Sequence, residues 1–111
     1  MTNMITYLFL ETHHWEKTIQ YWQQIGYDLD LDLGRSGRMI NPAGGLALFI
    51  TEMPKDHELT TQIAIRTDQE NWQPEPPVEV REEWHDSHWG TKIMEIRDPD
   101  GRDMLVQLNG D

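Results

Sequence analysis

The sequence predicts an α+β fold: one 111-residue domain of two βαβββ modules, about residues 1–55 and 56–111, in a curved mixed sheet, the second module's helix replaced by a Pro-rich loop. Three patterns carry this expectation. Residues 12–26 repeat apolar side chains at helical spacing, residues 27–33 alternate apolar and acidic without a fault, and residues 69–77 hold three prolines that no regular helix tolerates.

The chain opens on "TYLFLE" (6–11), a β-rich apolar strand. In the segment that follows, Trp15, Thr18, Ile19, Trp22 and Ile25 share one helical face; Thr12 is the expected N-cap and Gly26 the stop. "YDLDLDL" (27–33) puts Tyr27 and three leucines on one face of a strand and three aspartates, Asp30 among them, on an exposed one. "GRSG" turns the chain into "RMIN" (38–41), and "PAGG" leads to "LALFITEM" (46–53).

The second half begins with "TTQIAIRTD" (60–68) and continues through the Pro-rich connector to "VEVREEW" (78–84). A closing hairpin is read from "TKIMEIRDPDGRDMLVQ", in which Pro99 presets φ, Asp98 can accept from the backbone ahead and Gly101 tolerates positive φ. Sheet order 1-4-3-2 in each module requires the connector to cross roughly 14 Å at about 4.8 Å per strand. Nine extended residues reach about 30 Å, so the span is feasible. Trp72, in the connector, is the expected lid over the face a second helix would have covered.

A domain of this size buries roughly 65% of its unfolded surface, enough for a core. Without cysteine there is neither a disulfide nor a thiolate metal site, which fits a cytoplasmic protein. The longest early apolar run is too short for a signal sequence or a membrane span. A net charge of −11 argues against nucleic acid and anionic membranes as partners and favours cationic ligands.

The order of elements, Trp89-Gly90 before the hairpin and Arg97-Asp98-Pro99-Asp100-Gly101 within it, together with "EKTIQYW" (16–22) and "LALFITE" (46–52), resembles the vicinal oxygen chelate superfamily of glyoxalase, bleomycin-resistance and dioxygenase proteins. Within it the chain looks most like the bleomycin-resistance proteins. Enzymatic members hold a divalent metal with His or Glu on four strands. Carried over, those positions fall near residues 5–7 and on Phe49, Gln62 and Leu105, which do not make a ligand set. The resemblance therefore implies no metal, no other cofactor and no catalytic residue. It points to a homodimer in which modules of different subunits form a crevice that sequesters a small molecule, as in antibiotic resistance.

Strand parity assigns the lining of that crevice. With Met94 and Ile96 in the core, Ile93, Glu95 and Arg97 face the concavity. The same alternation turns Tyr7, Phe9 and Glu11, then Ala47, Phe49 and Thr51, then Gln62, Ala64 and Arg66 inward. The candidate ligand-binding residues are Tyr7, Phe9, Glu11, Phe49, Gln62, Trp72, Trp84, Trp89, Glu95 and Leu105, with the tryptophans closing over an aromatic or cationic ligand. His13 and His14 point about 100° apart on a helix and cannot easily share an ion; His85 and His88, spaced i,i+3, leave a different metal site open. Two other readings stand beside sequestration: a metal-dependent glyoxalase- or dioxygenase-type enzyme of the same fold, and a non-binding structural or partner protein.

Overall fold

The structure, a computed structural model, describes residues 3–87 and 90–108. Its elements are β1 (Asn3–Thr12), α1 (Trp15–Ile25), β2 (Asp28–Asp32), β3 (Ser36–Ile40), β4 (Ala47–Glu52), β5 (Thr61–Thr67), β6 (Glu79–Asp86), β7 (Lys92–Arg97) and β8 (Asp103–Leu108). This is an α+β chain. Residues 68–78 form no helix, as the prolines require. No helix among the described residues is long and apolar enough to cross a membrane.

Two compact units organise the chain: residues 7–61, and residues 62–108 with 3–6. In the first the strand order is β2-β3-β4-β1, with β1 parallel to β4 and the other pairs antiparallel. In the second it is β5-β8-β7-β6, with β5 parallel to β8. Both follow the expected 1-4-3-2 order.

The first unit packs α1 on one sheet face. Ile19 meets Met39, Leu48 and Ile50, all buried, with Leu8, Leu10, Trp15, Trp22, Tyr27 and Leu29 around them. Each such buried aliphatic side chain contributes about 1.5–3 kcal/mol. Gly37 lies where β3 passes under this layer: a Cβ there would collide with the Leu31 carbonyl and come within 3.2 Å of the Trp15 ring.

The N-terminus of α1 differs from expectation. Thr12 is not the cap, because β1 runs on to include it; its Oγ1 accepts the His14 N–H and hydrogen-bonds the Thr18 hydroxyl. His14 holds the N-cap position without a side-chain capping bond. The Trp15 N–H instead donates to Glu52 Oε1 at 2.9 Å, so a carboxylate at the end of β4 serves the orphan donor and the positive helix end. Gly26, at φ 125°, ends the helix and donates to the carbonyls of Trp22 and Gln23, as expected.

The second unit solves the missing-helix problem with the connector. Met94, Ile96 and Val106 are buried beneath Ile65, Trp72, Val78, Val80, Trp84 and Met104. The Trp84 indole N–H donates to the Trp72 carbonyl at 2.8 Å, pinning connector to sheet. The face a second helix would have covered is thus covered by Trp72 of the connector together with strand side chains. The hairpin forms as read: Asp98 Oδ1 accepts from the backbone N–H of Asp100 and Arg102, at 3.0 and 2.8 Å, and Gly101 takes φ 88°.

Candidate functional site

On the face of the first unit opposite α1, cross-strand register brings Tyr7, Phe9 and Phe49 together. Phe9 and Phe49 are partners on β1 and β4, their rings 5.9 Å apart and nearly parallel at 8°. The Tyr7 ring is 6.3 Å from Phe49 at 53°. All three are half-buried and form a partly exposed ring surface.

Glu11 lies on the same strand face but is engaged. Its Oε1 accepts from His57 Nε2 at 3.0 Å and from both the backbone N–H and the hydroxyl of Thr60 at 2.9 Å. His13 Nε2 in turn donates to the His57 carbonyl. Glu11 therefore holds the 53–60 loop against β1, and a ligand cation would have to displace three hydrogen bonds to use it. Its partners lie more than forty residues away in the chain, beyond the reach of strand parity. Asp30, expected as an idle surface charge, grips Arg38 with two carboxylate oxygens at 3.0–3.2 Å. Arg38 pairs in register with Phe49.

In the second unit, Gln62, Glu95 and Leu105 share the face opposite the Trp72 cover, since Glu95 alternates with Met94 and pairs with Leu105 in register. Leu105 is buried; Gln62 and Glu95 are half-buried, and the Gln62 amide donates to Glu95 Oε1 at 3.2 Å. The sequence did not reveal Glu82. Two register shifts in β6 make Glu82 the cross-strand partner of Glu95.

Burial is the main cause that raises the Glu95 pKa above the ordinary carboxylate value; the neighbouring Glu82 carboxyl adds to it, while Gln62 and Arg81 oppose it. The arginines nearby are engaged elsewhere: Arg81 and Arg97 both bond Asp103, at 2.7 and 3.0 Å, and Arg97 also approaches Glu79. Arg97 in turn holds the Asp103 carboxyl below its ordinary pKa.

Trp72 and Trp84 pack with Met94, so within this unit they stand on the opposite face from Gln62 and Glu95. Trp84 does border a small cavity of about 220 Å³ with Glu70, Asn71, Lys92 and Leu108. Trp89 and His88 lie outside the described residues. His85 Nδ1 bonds the Glu83 carbonyl and its Nε2 is 3.9 Å from Glu82. A wider cleft of about 470 Å³ borders the start of α1, lined by Lys17, Arg35, Glu52 and Lys55 among others, with Arg35 3.5 Å from Glu52.

Among the described residues no three His, Asp or Glu side chains are placed to hold a metal. The phenyl ring of Phe49 and the isobutyl group of Leu105 offer no donor atom to a divalent cation.

No family model and no curated protein matches the chain. Its neighbours among solved structures include a bleomycin resistance determinant encoded on the transposon Tn5, with 16% identity over 99% of this chain and 100% of that one and a TM-score of 0.43. A bleomycin-binding protein complexed with bleomycin matches at 16% identity over 98% and 100%, TM-score 0.40. A hypothetical protein from S. aureus matches at 13% identity over 97% and 94%, TM-score 0.37.

Proposed function

We propose that this protein binds a flat, positively charged small molecule without transforming it. One observation carries the reading: Glu95 is a half-buried carboxyl whose hydrogen bond comes from the neutral amide of Gln62 rather than from a lysine or arginine. A carboxyl kept from water without a cationic partner is unfavourable in isolation and becomes favourable when a ligand supplies the charge. The ring surface of Tyr7, Phe9 and Phe49 supports the aromatic part of the reading. The family resemblance read from the sequence supports sequestration and a homodimer, and the donor-free side chains of Phe49 and Leu105 weigh against a metal-dependent lyase or dioxygenase.

The test is calorimetric titration with 1-methylquinolinium, a flat permanent cation. Wild type should bind it, and Glu95→Gln should weaken binding by about 1–3 kcal/mol, the range for a hydrogen-bonded charge. Equal affinity in the two proteins would remove Glu95 from the site. Sedimentation at micromolar concentration tests the dimer; a 13.1 kDa species would contradict it.

A further inference from the structure

Four segments of the first unit meet at the cleft beside the start of α1, and hydrogen bonds tie them together. The Met53 N–H donates to the Thr12 carbonyl at 2.8 Å and the Glu52 N–H to the Arg35 carbonyl at 2.7 Å, which joins the ends of β1 and β4 to the β2–β3 turn. Glu52 Oε1 takes the Trp15 N–H, so the first turn of α1 is fixed to the same point. The 53–60 loop is fastened as well, by the His13 ring on the His57 carbonyl and by Glu11 on His57 and Thr60. The walls of this cleft of about 470 Å³ are therefore built before any ligand arrives, which lowers the cost of binding one.

The charges on these walls run against those of the whole chain. Two of its three lysines, Lys17 in the first turn of α1 and Lys55 in the 53–60 loop, line the cleft; Arg35, from the β2–β3 turn, is the third cation. Other cations of the chain are paired: Lys92 with Asp86 at 2.9 Å, Arg38 with Asp30 at 3.0 Å, Arg102 with Asp98 at 3.0 Å, and Arg81 and Arg97 with Asp103. Lys17 and Lys55 make no ion pair among the described residues, and Arg35, its side chain 85% exposed, reaches Glu52 only at 3.5 Å. Three cations stand against two carboxylates, Glu16 and Glu52, so a protein of net charge −11 carries a local positive surplus here. The positive end of α1 is already answered by Glu52, and the attraction comes from the side chains.

We propose that this cleft binds a compact oxyanion of two or more charges, a phosphate or a small polycarboxylate, as a second site beyond the cation reading at Glu95. Arg35 offers a planar fork of N–H donors, and Lys17 and Lys55 act as point charges on flexible stems. Glu52 holds the scaffold but opposes the ligand's charge. A nucleic acid is a poor occupant, because a long polyanion meets the −11 surface beyond the cleft, whereas a compact anion feels mainly the charges within a Debye length, about 10 Å at 0.1 M salt.

The test is calorimetric titration of the full chain with inorganic pyrophosphate and with malonate, at pH 7 and constant ionic strength. At least one should bind one to one, and the tighter of the two names the oxyanion; acetate, with a single charge, should bind at least about tenfold more weakly. Lys17→Gln and Lys55→Gln should each weaken binding about threefold to fivefold, the upper range for an exposed ion pair. Lys92→Gln, in the second unit, should leave it unchanged. Glu52→Gln keeps an oxygen for the Trp15 N–H while removing a negative charge, so it should tighten binding by a similar factor, a gain that damage to the fold would not produce. No binding of either multivalent anion at millimolar concentration would overturn the proposal. So would binding that Lys17→Gln and Lys55→Gln leave unchanged, or that Lys92→Gln weakens equally.

Discussion

The indole N–H of Trp84 on β6 donates to the backbone carbonyl of Trp72, and both rings sit on the Met94–Ile96–Val106 core. This pairing takes the place of a helix. Trp84→Phe keeps most of the apolar area but orphans a carbonyl, and should cost about 1–3 kcal/mol. Trp72→Ala should cost about 2–3 kcal/mol, less than the roughly 3–5 of a fully buried ring. Urea unfolding of both variants checks the order; if neither loses stability, the connector is not the cover of this face.

Gly37 lies under the Leu31 carbonyl and the Trp15 ring. Gly37→Ala has nowhere to put its methyl without moving backbone, and should destabilise by about 1–3 kcal/mol, as overpacking does. Thermal unfolding should show a lowered midpoint. Gly45→Ala makes a contrast: a Cβ there meets nothing within 4 Å and is disfavoured by its φ of 92° instead, whereas Gly37 is not at positive φ and is limited by contact.

The two kinds of carboxyl shift have opposite consequences for stability against pH. Asp98 is held below its ordinary pKa, first by the Arg102 backbone N–H and then by the Arg102 guanidinium. Its contribution is present above the unfolded pKa and is lost as pH falls through the folded one. Glu95, raised by burial, has the reverse sign: its contribution is present below the unfolded value and is lost as pH rises through the folded value. Asp98→Asn should therefore flatten the acid side of the stability profile. Glu95→Gln should be more stable relative to wild type at neutral pH than at pH 4. Denaturant midpoints across pH 3–8 give both, and a Glu95→Gln variant that does no better against wild type at neutral pH than at pH 4 would contradict the assigned sign.

What the sequence made legible was local. Alternation in residues 27–33 and 92–97 identified strands and separated Met94 from Glu95, and the helical spacing of Trp15, Ile19 and Trp22 identified the covered face of the first unit. What it hid depends on partners distant in the chain. Thr12 lost the cap because β1 runs one residue past its expected end to include it, and Glu52, 37 residues beyond Trp15, supplies the carboxylate. Glu11 reads as an open ligand by parity, yet His57 and Thr60 claim it. Trp72 packs where the lid reading put it, on the Met94 core, and Trp84, read only as a ligand aromatic, joins it there. Glu82 was invisible because its facing depends on two register shifts in β6.

The most direct test of the account compares three ligands of one shape on the wild-type protein: cationic 1-methylquinolinium, neutral quinoline and anionic naphthalene-1-carboxylate, titrated calorimetrically at neutral pH. Steering by the −11 surface fades as the Debye length falls from about 10 Å at 0.1 M salt to about 3 Å at 1 M, so the series is run at both. The account predicts that the cation binds at least about tenfold more tightly than the neutral compound at both salt concentrations, with the anion weakest, because a half-buried carboxylate contact is poorly screened. Equal affinity of cation and neutral compound at 1 M salt would contradict it.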